Sequence, residues 1–163
     1  MQIQAKQSVT CVFIGIAVLV VATAAGGAQS KDPVVGTWKL DVAKSSYKPG
    51  PAPKSVTVMV EPAGKGIKVS VDAVNADGAP MKWGFTTQRD GKEVPVTGNP
   101  VYDTATTTQA SPTTGTTEYK KGGKVVVTSN LEVSADGKTM TLTSSGTDAK
   151  GQAINNVAVY TKQ

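Results

Sequence analysis

The stretch KVVVTSNLEVSADGKTMTLTSSGT, residues 124–147, decides the fold class of this chain. Apolar side chains occupy alternate positions in both of its halves: Val125, Val127, Leu131 and Val133, then Met140 and Leu142. A period of two is typical of strands with one buried face. Between the halves, Ala135-Asp136-Gly137 supplies the glycine that a tight hairpin needs. The stretch therefore predicts two antiparallel strands joined by a short turn.

The same alternation recurs along the rest of the chain, with glycine-containing turns between the segments and no helical period. The further segments that this pattern predicts as strands are residues 54–61, 66–75, 80–89, 92–97 and 153–162. Their turns are placed at Asp77-Gly78, Asp90-Gly91, Gly122-Gly123 and residues 148–151. We expect an all-β domain of eight to ten strands in a single antiparallel up-and-down barrel, with a sandwich as the alternative. Closure is favoured because an open meander would expose two strand edges.

Two segments depart from this pattern. Residues 41–53, DVAKSSYKPGPAP, contain three prolines and predict a long loop with at most one helical turn. Residues 104–117, TATTTQASPTTGTT, have almost no large apolar side chains. If residues 104–109 and 114–121 are strands, both faces are polar. They then form either an edge hairpin or a barrel wall with a wet interior.

The N-terminus has the composition of an export signal. One lysine, Lys6, precedes an apolar run over residues 8–25, and small residues follow up to Ala28. We expect a signal peptide over residues 1–28, cleaved after Ala28 or alternatively after Ala24, and a barrel domain over residues 29–163. A retained membrane anchor is the other interpretation, but the run is short for a bilayer span of roughly 20 residues. The sequence also has no Asn-x-Ser/Thr glycosylation acceptor, which fits a bacterial protein. Together these features predict a periplasmic or secreted bacterial protein with no stable membrane span after cleavage.

Composition excludes several classes of chemistry. The sequence has no histidine, and its one cysteine, Cys11, lies within the predicted signal peptide. Imidazole bases, thiol nucleophiles and zinc sites built from these residues are therefore excluded. We expect no catalytic residues, no metal and no cofactor, and hence not an enzyme. The net charge of +5 comes from lysines spread along the chain, which indicates a solvated surface and not a nucleic-acid interface.

Gly36-Thr37-Trp38, near the start of the predicted barrel domain, resembles the Gly-x-Trp signature of the lipocalin and fatty-acid-binding (calycin) superfamily. Three longer runs resemble a group of uncharacterised lipocalin-like bacterial secreted proteins. They are GTWKLDVAKSSYKPGPAP, DGKEVPVTGNPVYDT and VSADGKTMTLTSSGTDAKGQAINNVAVYTK. The resemblance covers essentially the whole predicted barrel domain and brings no established activity. It implies that Trp38 closes the base of the barrel, with Lys162 as the basic residue on the last strand.

The predicted function is the binding of a small, partly apolar or amphipathic molecule inside the barrel. The alternative is a structural or interaction protein of the cell envelope whose barrel is filled by its own side chains. The sequence identifies neither the ligand nor the oligomeric state. The candidate lining residues are Trp38, Val58, Val69, Val71, Trp83, Phe85, Tyr102, Leu131, Met140, Leu142 and Tyr160.

Overall fold

A computed structural model describes residues 32–148 and 150–163 of the chain. Ten antiparallel strands make up almost all of it. They are β1 (Gly36–Leu40), β2 (Ser55–Ala63), β3 (Gly66–Val74), β4 (Pro80–Thr87), β5 (Asp90–Pro95), β6 (Thr104–Ser111), β7 (Thr114–Lys121), β8 (Lys124–Val133), β9 (Thr139–Thr147) and β10 (Ala153–Lys162). The helical turn expected between β1 and β2 is a 3-10 helix, Val42–Lys44. No helix in the described residues is long and apolar enough to cross a bilayer. The predicted signal peptide lies outside them.

The strands form one nearly closed up-and-down barrel, which confirms the predicted fold class. Consecutive strands pair with one another except β4 and β5, and β1 also pairs with β10, in the order β4-β3-β2-β1-β10-β9-β8-β7-β6-β5. The barrel is interrupted between β4 and β5. There Gly84 and Thr97 form an isolated bridge and exchange two backbone hydrogen bonds of 3.0 Å. This bridge satisfies backbone groups that an open strand edge would leave unpaired.

The base of the barrel is the end where β1 begins and β10 ends. Trp38 is fully buried there, and its indole Nε1 donates a 2.8 Å hydrogen bond to the carbonyl of Val34. The Lys162 ammonium lies 4.8 Å from the centroid of the Trp38 ring and donates to the carbonyl of Pro33 at 2.9 Å. A cation over an aromatic face is a favourable contact. Trp38 and Lys162 thus hold Pro33 and Val34 at the base through hydrogen bonds to their carbonyls.

Gly36 is required for this arrangement. Its φ of +141° lies in a region that side chains rarely adopt, and a Cβ at residue 36 would lie 2.6 Å from Cε of Lys162. Glycine therefore lets the lysine stem cross the start of β1 and reach the indole. The Gly36-Thr37-Trp38 motif and Lys162 thus form one packing unit.

The strand boundaries differ from the prediction in two informative places. The turn predicted at Asp90-Gly91 lies two residues earlier. Asp90 is therefore already the first residue of β5, and it pairs with Thr108 of β6. Arg89 occupies this turn with a positive φ of 58°. Val125 was predicted to share the inward face of β8, but it is exposed. The pairing of β7 with β8 shifts register between Tyr119 and Lys120, so the alternation does not extend to the start of β8.

Candidate functional site

The barrel contains a partly open cavity of about 90 Å³ near its base. Its lining comes from β2–β4, β6–β9, the segment before β1 and the β4–β5 turn. The lining residues are Val34, Val58, Val60, Ile67, Val69, Phe85, Thr87, Arg89, Thr107, Thr108, Gln109, Thr114, Gly115, Thr117, Tyr119, Ser129, Leu131, Met140 and Leu142. A cavity of this size holds several water molecules or one compact organic group. It is well below the roughly 300 Å³ at which pockets for drug-sized molecules begin.

One side of the cavity is apolar because of strict alternation in β2 and β3. We call the inward side chains of these strands the valine wall. They are Val56, Val58, Val60, Ile67, Val69, Val71 and Ala73. Branched side chains fit a pleated, buried surface well. The valine wall packs with Trp38, Met140 and Tyr160 into the main core, which fills the β1 and β10 side of the barrel.

The side formed by β6 and β7 is different in composition. We call its inward side chains the threonine wall. They are Ala105, Thr107, Gln109, Gly115, Thr117 and Tyr119. Thr107 and Thr117 pair across the strands through their hydroxyl oxygens, 3.1 Å apart. On the adjacent strands β8 and β9, the Ser129 and Ser144 hydroxyls lie 2.6 Å apart. Short side chains and a glycine leave the space, and paired hydroxyls make its wall polar without leaving these groups unsatisfied.

Aromatic rings close the cavity on the β4 and β7 side. Phe85 and Tyr119 line it with ring centroids 6.1 Å apart. Behind them, Tyr102 stacks on Tyr119 at 4.6 Å and contacts the edge of Trp83 at 5.9 Å. Burial raises the pKa of the Tyr119 hydroxyl far above its ordinary value, and a smaller contribution comes from the Tyr102 hydroxyl. Tyr119 therefore stays protonated at neutral pH and can act there as a hydrogen-bonding group.

At the base, Arg89 is the sole charged residue among the described residues that line the cavity. Its Nη2 donates to Oδ2 of Asp32 at 2.5 Å, and both side chains are largely buried. Its Nε and Nη1 are also buried, and neither finds a hydrogen-bond acceptor in the described part of the chain. Within residues 32–148 and 150–163 there is also no cluster of acidic, histidine or cysteine side chains that could hold a metal ion.

A larger, open depression lies on the outer face where β4 and β5 separate. Met59, Trp83 and Val94 are among its lining residues. Binding sites for small molecules usually bury 70–90% or more of the ligand surface. Since this depression is more open than the interior cavity, a small molecule in it would keep more contact with water. The interior cavity is therefore the better candidate site.

The structure places the predicted lining residues in two groups. Six of them line the cavity: Val58, Val69, Phe85, Leu131, Met140 and Leu142. The other five, Trp38, Val71, Trp83, Tyr102 and Tyr160, lie outside its lining. Trp38, Val71 and Tyr160 belong to the main core, while Trp83 and Tyr102 support the aromatic rings from behind. Their predicted role in ligand binding stays a prediction.

Sequence reasoning missed most of the polar lining, above all Arg89. One signal was present: Arg89 is the only arginine of the chain, among sixteen lysines. Arginine is the residue that proteins use where a planar, multiply donating cation is needed. The threonines were recognised as an unusual segment, with a wet barrel wall as one of two interpretations. The structure excludes the edge hairpin, since β6 pairs with β5 and β7, and β7 pairs with β6 and β8. The wet interior stays a prediction.

Comparisons with known proteins add little to these observations. No protein-family model matches the chain, and no curated protein matches it in sequence. Among solved structures, zebrafish ileal bile acid-binding protein complexed with cholic acid is similar, with a TM-score of 0.47 and 14% identity. The match covers 80% of this chain and 99% of that chain. Similarity this distant carries no argument about the ligand, so the site is interpreted from its own residues.

Proposed function

We propose that this protein binds one small, partly apolar molecule in the cavity at the base of its barrel. The observation that carries the proposal is the composition of the cavity wall. Apolar side chains on one side, such as Val60 and Val69, face paired hydroxyls on the other, such as those of Thr107 and Thr117. A mostly apolar site with a few placed polar groups is the usual form of a small-molecule site.

We propose binding rather than catalysis. Burial raises the pKa values of the Tyr119 and Tyr160 hydroxyls, so both are protonated at neutral pH and neither is an activated nucleophile. We also propose that the protein is exported and belongs with the lipocalin-like secreted proteins of bacteria. The apolar segment over residues 8–25 and the Gly36-Thr37-Trp38 motif support this proposal.

Native mass spectrometry of the protein purified from its own host tests both proposals. We expect an added mass that is reproducible, is lost on denaturation and is small enough for a cavity of about 90 Å³. We also expect the polypeptide mass to be that of a chain beginning at residue 29. Solvent extraction of the same sample then identifies the molecule. A polypeptide without added mass, which also fails to take up small molecules from host extract, would contradict the binding proposal.

A filled structural barrel is the second candidate function, and the extent of the main core favours it. Thirteen buried residues pack together there, from Val34 to Tyr160 along the chain. Small barrels can be filled by side chains alone. In that case the cavity is a residual packing defect that holds water. Filling it by substitution would then leave every property of the protein except its stability unchanged.

A further inference from the structure

The backbone of Arg89 has an unusual conformation that hydrogen bonds hold in place. Its φ of 58° is rare for a residue with a side chain. Two hydrogen bonds fix it: its N–H donates to Oγ1 of Thr87 at 3.0 Å, and its carbonyl accepts from the N–H of Gln109 at 3.2 Å. Thr87 and Gln109 themselves line the cavity. Backbone strain of this kind is often found at functional sites. The turn thus directs the only arginine of the chain to the cavity wall.

The guanidinium of Arg89 has more donors than partners. It carries five N–H groups and is always charged. Asp32 accepts from Nη2, but Nε and Nη1 are buried without an acceptor among the described residues. Buried donors on a charged group are costly to leave unsatisfied, and each requires an explanation. An acceptor supplied from outside the chain would satisfy them, after a shift of the Arg89 side chain that opens these buried nitrogens to the cavity.

We propose that the ligand of this cavity is a small carboxylic acid, bound as its carboxylate by the free guanidinium nitrogens of Arg89. The proposal rests on the proposed function and specifies its ligand class. Arginine and carboxylate form short, charge-assisted hydrogen bonds. Asp32 and the ligand would then share one guanidinium. The Asp32 side chain keeps 27% of its surface exposed to water, so it stays partly solvated beside the ligand.

The cavity volume limits the apolar part of the ligand. A cavity of about 150 Å³ lined by apolar side chains accommodates benzene, with six carbons. By proportion, 90 Å³ accommodates a group of roughly four carbons. The apolar wall around Val60, Leu131 and Leu142 would contact this group. A compact, branched, short-chain carboxylic acid meets both requirements, whereas a long-chain acid or a steroid does not.

Isovalerate and isovaleramide form a matched pair of probes, since they share an isobutyl group and differ in charge at the head. We expect the protein to bind isovalerate at least about tenfold more tightly than isovaleramide, as judged by titration of the ¹⁵N-labelled protein by NMR. The single arginine gives one set of guanidinium signals. These signals should shift on saturation with isovalerate and stay in place with isovaleramide.

Two substitutions at the same ion pair separate a binding role from a structural one. Both Arg89→Met and Asp32→Asn remove the ion pair at the base, so a role that depends only on this pair predicts the same direction of change for both. We expect Arg89→Met to abolish the preference for isovalerate. Asp32→Asn should keep or increase it, because the competing carboxylate is lost. If Arg89→Met does not fold, the wild-type probe pair and Asp32→Asn still decide the question.

The outcomes distinguish the two levels of the proposal. Equal affinity for both probes, with unshifted guanidinium signals, overturns carboxylate recognition and leaves the binding cavity intact. Equal loss of isovalerate binding in Arg89→Met and Asp32→Asn also overturns it. If neither isovalerate nor isovaleramide binds at concentrations up to tens of millimolar, roughly the range of very small ligands, then both carboxylate recognition and the proposed cavity function fail.

Discussion

The valine wall and the threonine wall lie on either side of the same cavity, yet they are built on opposite principles. The valine wall is continuous with the core around Trp38, where close packing provides stability. Apart from Gln109 and Tyr119, the threonine wall has short side chains, a glycine and paired hydroxyls, and it borders the cavity. The same strand geometry and the same alternation produce both walls. The difference shows that residue size on the inward face, and not topology, determines which part of a small barrel is filled.

The largest effect that should separate the two walls is the removal of the Trp38 side chain. Trp38→Ala deletes a fully buried ring and the hydrogen bond to Val34, so we expect a loss of about 3–5 kcal/mol in the free energy of unfolding. Thr117→Ala removes a short side chain beside existing space and should cost about 1 kcal/mol or less. Urea denaturation measures both. Comparable losses would mean that the two walls are equally packed. Trp38→Phe provides a milder substitution if Trp38→Ala fails to fold.

The same substitution at two positions of β2 provides a closely matched comparison. Val56 and Val60 are both buried in the valine wall, but Val60 borders the cavity and Val56 does not. Val56→Leu should cost about 1–3 kcal/mol through overpacking. Val60→Leu should be close to neutral in stability, because the added methylene enters open space, and should weaken isovalerate binding. Thermal unfolding with and without isovalerate shows both effects. A cost at Val60 equal to that at Val56 would argue that the space is not available.

The hydroxyl pair of the threonine wall should behave as a unit. Thr107→Val or Thr117→Val alone leaves one hydroxyl without its partner, and each should cost about 1 kcal/mol. The double variant replaces both hydroxyls with methyl groups of the same shape and should cost less than the sum of the two. A double-mutant cycle from urea unfolding gives the coupling energy. Strict additivity would indicate that water in the cavity, and not the partner threonine, satisfies each hydroxyl.

The smallest expected effect is on pH dependence, and it compares Tyr119 beside the cavity with Tyr160 in the core. Burial raises the pKa of both hydroxyls above the ordinary value of 10.0. The unfolded chain therefore loses these protons first as the pH rises above 10, while the folded protein keeps them. Stability is fully present below pH 10 and falls as the pH rises above it.

Absorbance at 295 nm during alkaline titration checks this dependence. Ionisation of Tyr119 and Tyr160 should coincide with unfolding. The double variant Tyr119→Phe/Tyr160→Phe should lose less stability than the wild type as the pH rises above 10. Ionisation of Tyr119 in the folded state, well before that of Tyr160, would show that the cavity is freely open to water.

The sequence was sufficient to predict the strands and most turns, because these depend on local chemistry. Alternation on β2, β3 and β9 and the glycine turns at residues 78, 122 and 137 correspond to the observed elements. The turn at Arg89 was misplaced because its positive φ is fixed in part by a hydrogen bond from Gln109, which becomes a neighbour only in the folded barrel. The glycine at residue 91 provided a stronger local signal.

The candidate site was less predictable for a related reason. Trp38 and Trp83 were predicted as lining residues because they are large and aromatic. Large rings, however, fill space in the barrel interior and do not leave it empty. Trp38 therefore lies in the core and Trp83 lies behind the aromatic rings of the wall. The cavity exists where Thr107, Gly115 and Thr117 are small, and their effect depends on which strands face one another across the barrel.

The most direct test of a cavity bounded by two unlike walls is an NMR experiment on methyl-labelled protein saturated with isovalerate. Nuclear Overhauser effects (NOEs) from the isobutyl protons should reach methyl groups of Val60, Leu131 and Met140, which line the cavity. None should reach Ala73 in the core or Met59 on the outer face. Contacts at Met59 would place the ligand in the outer depression. The absence of any saturable contact inside the barrel would contradict the central claim.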